Sequence, residues 1–251
     1  MHVGGYDIDI LVQGYPGRSG VHGGLGWSTI VLLRGHGRIM LLDTGSFGIR
    51  KVLLTKLKER RLSPKDITDL ILSHSHYDHA VNWPLFRDSH IFLGALELDW
   101  ALSQPWGETP VPELCIKALS DWPTLQTIKE GQTIAPGITA HLAPGHTPGH
   151  LIFILHGEDH DVIFLQDAVK SRAELVSRRV TEAVDARAGS KTCEMVWDLW
   201  RQRPGTIIIP GHDLPMVLEN GAPLSIGTHA ASIAATLDDD PDIKTTFKLT
   251  K

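Results

Sequence analysis

Six consecutive residues, His74-Ser75-His76-Tyr77-Asp78-His79, put three imidazoles and a carboxylate into one short stretch of chain. Gathered without a cation, these groups would lose hydration and repel one another, so a metal ion is the natural counter-charge. Imidazole nitrogen combined with carboxylate oxygen suits zinc and related divalent ions. The stretch follows a predicted strand, Asp69 to Ser73, and three more residues of metal-ligand type also stand at the ends of predicted strands. They are His146 in Pro144-Gly145-His146-Thr147-Pro148-Gly149-His150, Asp167 after Val162 to Leu165, and His212 in Pro210-Gly211-His212-Asp213. A fold that serves this pattern brings several strand ends to one edge, where a rigid rim can hold side chains.

The rest of the chain reads as the scaffold for such an edge. Asp7 to Gln13, Ser28 to Leu33 and Arg38 to Leu42 are strand-like, the last two joined by a Gly35-His36-Gly37 turn. Gly14 to Gly26 is a glycine-rich loop able to overhang a site. Helical spacing over Gly48 to Arg61 turns Val52, Leu53 and Leu57 inward and leaves Lys51, Lys56, Lys58, Arg60 and Arg61 in water. Ser63-Pro64-Lys65-Asp66 carries the cap, the early proline and the acid of a short helix. Further strands are expected at His90 to Leu93, Gly137 to Ala143, His150 to Leu155 and Thr206 to Ile209. Helix is expected in parts of Glu97 to Thr127 and from Lys191 to Arg201. Without a repeat or a linker, this order predicts one domain over residues 1–251. The fold class is α/β, with two mainly antiparallel or mixed sheets face to face and helices outside. From Ala222 onward no motif is legible.

Charge and hydropathy exclude several functions. Lys and Arg total 24 against 29 Asp and Glu, a net charge of -5, so the surface as a whole is no polyanion-binding face and nucleic acid is disfavoured as a partner. Apolar runs such as Ile30 to Leu33 and Leu151 to Leu155 fall far below the ~20 residues of a membrane span, and the opening MHVGGYDIDI lacks an export signal. The expectation is a soluble, cytoplasmic protein with no membrane partner. Cys115 and Cys193 have neither disulfide-framework nor thiolate-zinc spacing and read as inert thiols. Of the 14 histidines, His22, His36, His90, His141, His156, His160 and His229 lack motif context, and His150 reads as structural.

In His74, His76, Asp78 and His79 the chain has an HxHxDH motif. With His146, Asp167, His212 and the leading Asp43-Thr44-Gly45, it resembles the metallo-β-lactamase superfamily from about Asp7 to Pro215. The resemblance implies an αββα sandwich, the metallo-β-lactamase fold, with two divalent ions at one edge of the sheets, zinc first and manganese or iron as alternatives. It implies that His74, His76 and His146 hold one ion, that Asp78, His79 and His212 hold the other, and that Asp167 bridges them. A hydroxide shared by the pair would be the nucleophile at neutral pH. Asp78 would orient that water and take its proton, and Asp43 would hydrogen-bond a ligand imidazole and fix its tautomer.

The Asp167 position is neither Cys nor Ser, which argues against the true β-lactamase branches, and His76 argues against the diiron redox branch. Ligand spacing and chain length resemble quorum-quenching lactonases. That likeness implies hydrolysis of a small-molecule lactone, ester or related acyl substrate, and a homodimer is compatible with it. A second set of matches is similar to the metallo-β-lactamase domain-containing protein 1-like branch of compact nucleases: Leu11-Val12-Gln13-Gly14-Tyr15, Leu42 to Gly45, Asp66 to His79, Asn82 to Phe86 and Ile209 to His212. A compact nuclease or phosphodiesterase, and a glyoxalase II-type thioesterase, are therefore the alternatives. Trp83, Trp100, Trp106 and Trp122 are candidates for an apolar pocket wall, with core packing the equal reading. Lys170 and Arg172 could meet a substrate anion, although Lys170 reads first as a surface lysine.

Overall fold

The computed structural model describes residues 1–21 and 23–250, so the expectation for His22 lies outside the described residues, as does Lys251. The chain opens with β1 (His2–Val3) and β2 (Tyr6–Val12), makes a small hairpin of β3 (Arg18–Ser19) and β4 (Gly23–Gly24), and continues through β5 (Ile30–Gly35) and β6 (Arg38–Leu42). Successive residues of β5 alternate between two cores, Val31 and Leu33 on one side and Ile30 and Leu32 on the other. A strand with no solvent face has to be covered on both sides. Helix α1 (Arg50–Glu59) supplies one cover through Leu53 and Leu57. Val52, expected to face inward, is instead 43% exposed. One residue from Leu53, it is turned about 100° around the helix and lies off the buried stripe. Arg60, expected in water, is held by Asp9, 2.9 Å from Nη2 to Oδ1.

Ser63 and Asp66 form the capping box that the sequence announces, on a single 3-10 turn. Then come β7 (Asp69–Ile71), α2 (Tyr77–Ala80), β8 (His90–Gly94), α3 (Ala95–Ser103) and α4 (Glu113–Ser120). The end of the stretch expected to be partly helical is a strand, β9 (Leu125–Ile128), paired in parallel with β8. The first sheet runs β1-β2-β5-β6-β7-β8-β9, antiparallel up to β6 and parallel beyond it.

The second sheet consists of β10 (Thr133–Ala135), β11 (Ile138–Leu142), β12 (Leu151–Leu155), β13 (Val162–Gln166), β14 (Ile207–Pro210), β15 (Met216–Glu219) and β16 (Ala222–Ser225), antiparallel except between β13 and β14. The β13 to β14 connection carries α5 (Arg172–Ser177) and α6 (Ala186–Gln202). Helix α6 begins earlier than its apolar spacing suggests, because the Asp185 carboxylate accepts the Arg187 and Ala188 N–H groups at 2.9 Å each. A separate hairpin of β17 (Ser232–Ala235) and β18 (Thr245–Lys248) follows.

Three cores make four layers. Tyr6, Val31 and Met40 meet Phe153, Phe164 and Ile209 between the sheets. Leu53, Leu98 and Ile116 cover the outer face of the first sheet, and Leu175, Val196 and Trp200 that of the second. The result is the expected αββα sandwich of mixed sheets. Among the described residues no helix is long and apolar enough to cross a membrane. The two sheets are laced at one edge by Thr29 N donating to Gly211 O at 2.6 Å and Leu151 N donating to Ser73 O at 3.0 Å. There β6, β7, β13 and β14 all release their chains.

Candidate metal centre

All seven expected ligand residues come together at this edge. They form three overlapping groups able to hold a metal ion: His74, His76 and His146; His74, His79 and Asp167; and Asp78, His79 and His212. Within each group the ligand atoms lie within 4.8 Å of one another. His76 Nδ1 is 2.9 Å from His146 Nε2. Asp167 turns its two oxygens different ways: Oδ1 is 3.2 Å from His79 Nε2 and 3.3 Å from His212 Nε2, while Oδ2 is 3.3 Å from His146 Nε2. Asp78 Oδ2 lies 3.4 Å from His212 Nε2 and 3.6 Å from His79 Nε2.

The donor atoms test whether a cation fits. His74 Nε2, His79 Nε2 and Asp167 Oδ1 are buried without a hydrogen-bond partner. Each such orphan costs about 1–3 kcal/mol, and a divalent cation is one partner that satisfies all three. Protonation agrees. Burial, with neighbouring imidazoles adding to it, drives the pKa of His74 well below its ordinary value, and burial does the same to His146 against the pull of Asp167, so both lone pairs are free. Burial also opposes charge on His212, but Asp167 and Asp78 outweigh it and lift the pKa to about 9. His79 is raised in the same way. Burial works against both carboxylates, yet His79 and His212 hold Asp78 and Asp167 below the usual range, so both are ionised.

Asp43, at the end of β6, orders the imidazoles. Its Oδ2 accepts from His79 Nδ1 at 2.7 Å and from Ser73 Oγ at 2.8 Å, and its Oδ1 accepts from Ser73 N at 2.8 Å. A carboxylate only accepts, so His79 carries a proton on Nδ1, and Nε2 is the nitrogen turned toward the ligand groups. Because Ser73 spends its one hydroxyl proton on Asp43, it accepts from His74 Nδ1 at 3.0 Å and fixes that ring likewise. The Gln166 amide also donates to Asp43 Oδ2. Asp43 and Gln166 both have left-handed backbones, with φ of 58° and 45°, a cost of order 1–2 kcal/mol each that this bond across the sheets helps to offset.

A second carboxylate ties the loops. Glu97 on α3 is fully buried; its Oε1 accepts from Ser75 N at 2.9 Å and Ser75 Oγ at 2.6 Å, and its Oε2 from Thr147 Oγ1 at 2.6 Å. Ser75 stands between His74 and His76, and Thr147 follows His146. At Gly211 a Cβ would fall on the Asp167 carboxylate, so the motif before His212 admits only glycine without displacing Asp167.

The ligand groups open into a cleft of about 460 Å³ whose walls include Tyr15, Pro16, Tyr77, Pro110, Lys170 and Thr181. The glycine-rich loop does overhang the site, and Arg18 on it pairs with Glu182 across the rim. None of the four tryptophans lines the cleft. Trp83 and Trp122 pack together with their N–H groups on Cys115 O and Arg87 O, Trp100 packs 6.1 Å from the His76 ring, and Trp106 is 65% exposed. Core packing accounts for the first three. Lys170 is not a surface lysine: it is buried, 3.0 Å from Glu174 Oε1 and bonded to Thr181 O. Arg172 donates from its backbone to Asp213 and from its guanidinium to Pro223 O, and it stays outside the cleft. His150 is buried with its ring 4.8 Å from that of His74 and belongs to none of the ligand groups. Ser73, Gln166, Glu97 and Tyr15 are the members that sequence reasoning missed. Tyr15 and Ser73 fall within matched stretches of the sequence, Leu11 to Tyr15 and Asp66 to His79, whereas Gln166 and Glu97 fall in none.

A four-layer αββα sandwich with histidine and aspartate donors collected at one edge of its sheets defines a class of metal-dependent hydrolases. The metallo-β-lactamase superfamily model matches residues 23–212, and the chain belongs to that superfamily. The N-acyl homoserine lactonase of Bacillus cereus is 23% identical over 164 residues, which are 64% of this chain and 62% of that protein. The chain thus matches less than two thirds of that relative's length. Among solved structures, AidC, a dizinc quorum-quenching lactonase in complex with an N-hexanoyl-L-homoserine product, superposes with a TM-score of 0.67 at 20% identity, over 89% of this chain and 92% of that one. A variant of Bacillus thuringiensis AiiA with N-decanoyl-L-homoserine at its active site gives 0.68 at 19% identity, over 85% and 94%. At these identities the structural likeness is one of fold.

Proposed function

We propose that this protein is a dinuclear metal-dependent hydrolase that cleaves a small lactone, ester or related acyl substrate. The observation that carries the reading is Asp167 lying between two three-residue ligand groups, one oxygen toward each. In this reading His74, His76 and His146 hold one divalent ion, Asp78, His79 and His212 hold the other, and Asp167 serves both, with zinc the favoured metal. Bound there, such a pair supplies Lewis acidity and lowers the pKa of water to near ~7. The dizinc lactonase neighbour supports this choice.

The chain's own residues supply the rest. Asp78 is ionised and on the cleft wall, so its carboxylate is the acceptor for the proton of an attacking water. Water oxygen bonds to the carbonyl carbon, the acyl C–O bond breaks, and Asp78 returns the proton to the leaving alkoxide. A lactone gives one hydroxy acid. Asp43, acting through His79 and Ser73, keeps two imidazoles aimed while the charge moves.

The test is proton release by zinc- or manganese-loaded protein against lactones, aryl esters, thioesters, a β-lactam and a phosphodiester. Turnover of a lactone or ester with kcat/KM of ~10⁴ M⁻¹s⁻¹ or better is the expected result. Asp78→Asn, with its metal content measured, should lose about 10²–10⁴ in kcat. Phosphodiester cleavage alone would overturn the acyl reading.

A further inference from the structure

Residues 213–250 lie beyond the span matched by the family model, and no sequence motif is legible from Ala222 onward, yet contacts run from this segment to the cleft wall. Tyr15, which lines the cleft, donates its phenol O–H to the Leu249 carbonyl at 2.7 Å. Leu249 N in turn donates to Ala231 O at 2.8 Å, which closes the β17 to β18 hairpin behind it. His229 Nε2 is 3.0 Å from Asp213 Oδ1, next in the chain to His212, and the His229 ring meets that of Tyr15 edge-on at 5.7 Å. The two ends of the hairpin therefore meet Tyr15 through Leu249 and His229, and His229 also reaches the residue after His212.

Tyr15 is also the root of the glycine-rich loop. It exchanges backbone hydrogen bonds with Trp27 at 2.9 and 3.2 Å, and the two rings stack 5.1 Å apart. A Cβ on Gly17 would stand 2.7 Å from Tyr15 Cε1, and one on Gly26 would meet the Tyr15 carbonyl. These glycines let the loop lie directly on the tyrosine. Whatever holds Tyr15 holds the wall built on it.

We propose that the carboxy-terminal hairpin is a specificity element: it fixes Tyr15 and the loop seated on it, and so sets the affinity of the cleft for its substrate without acting on the ligand groups. Tyr15 and His229 are positioning residues in this scheme. The proposal rests on the reading of this cleft as the substrate site.

The test is hydrogen exchange and steady-state kinetics on full-length Tyr15→Phe and His229→Ala, with Lys117→Ala on α4 as control. We expect the hydrogen-bonded amides of Tyr15, Leu25 and Trp27 to exchange about fivefold faster or more in both variants, with the β12 amides and metal content as in the parent. KM for the best substrate of the panel should rise about three- to tenfold, with kcat within about twofold. Unchanged exchange at those amides overturns the proposal whether or not any substrate is found, which separates its failure from that of the hydrolase reading. Faster exchange with unchanged KM overturns it as well. If His229→Ala does not fold, Tyr15→Phe, which removes a single oxygen, carries the test.

Discussion

Asp43 accepts a hydrogen bond from His79 Nδ1 at 2.7 Å, and this contact decides which nitrogen of His79 faces the ligand groups. Through Ser73 the same carboxylate sets His74. One residue thus governs an imidazole in every candidate group.

Asp43→Asn should therefore weaken zinc binding by about 10- to 100-fold, because an amide can present a donor where His79 and Ser73 both need an acceptor. Competition against a chromophoric chelator measures the effect. Affinity within about twofold of the parent would remove Asp43 from this role.

Glu97 makes a different prediction, since it orders loops and not rings. In Glu97→Ala the donors of Ser75 and Thr147 lose their buried acceptor, at about 1–3 kcal/mol for each group left unsatisfied. The variant should melt several degrees lower and bind metal more weakly. Glu97→Gln keeps an acceptor and should recover part of both. Equal behaviour of the two variants would contradict the arrangement.

The contrast between these two residues explains what was legible in the sequence. The ligands and Asp43 sit next to strand ends in short motifs, where spacing alone implies convergence. Glu97 stands on a helix between sequence-distant loops, and a glutamate there reads as a solvated charge until α3 is known to pack against the edge. Both sheets were readable because β12 is an unbroken apolar run and β5 and β13 each open on four apolar residues, whereas β9, with Gln126 and Thr127 exposed at the sheet edge, looks like a continuation of helix. Lys170 reads from the sequence as a surface lysine for a related reason: its partner Glu174 becomes a neighbour only once α5 forms. The β17 to β18 hairpin has mostly exposed residues and no periodic apolar face to announce it.

Asp9 and Arg60 give a pH prediction away from the site. The hydrogen bond from Arg60 holds the Asp9 carboxyl below its ordinary value of 3.8. A lowered folded-state pKa contributes stability that is present above the ordinary value and is lost as pH falls through the lower one. Asp9→Asn should cost under ~1 kcal/mol at pH 7, and the difference from the parent should shrink as the pH falls below about 4. Urea midpoints between pH 6 and 3 measure this. A difference that grows toward acid would contradict the pair.

The most direct test of the whole account is the number of metal ions the chain holds. Protein saturated with zinc, freed of excess metal and quantified by elemental analysis should carry close to two ions per chain, and Asp167→Ala should retain fewer. A parent protein that binds none, or a single ion unaffected by Asp167→Ala, would contradict the dinuclear centre.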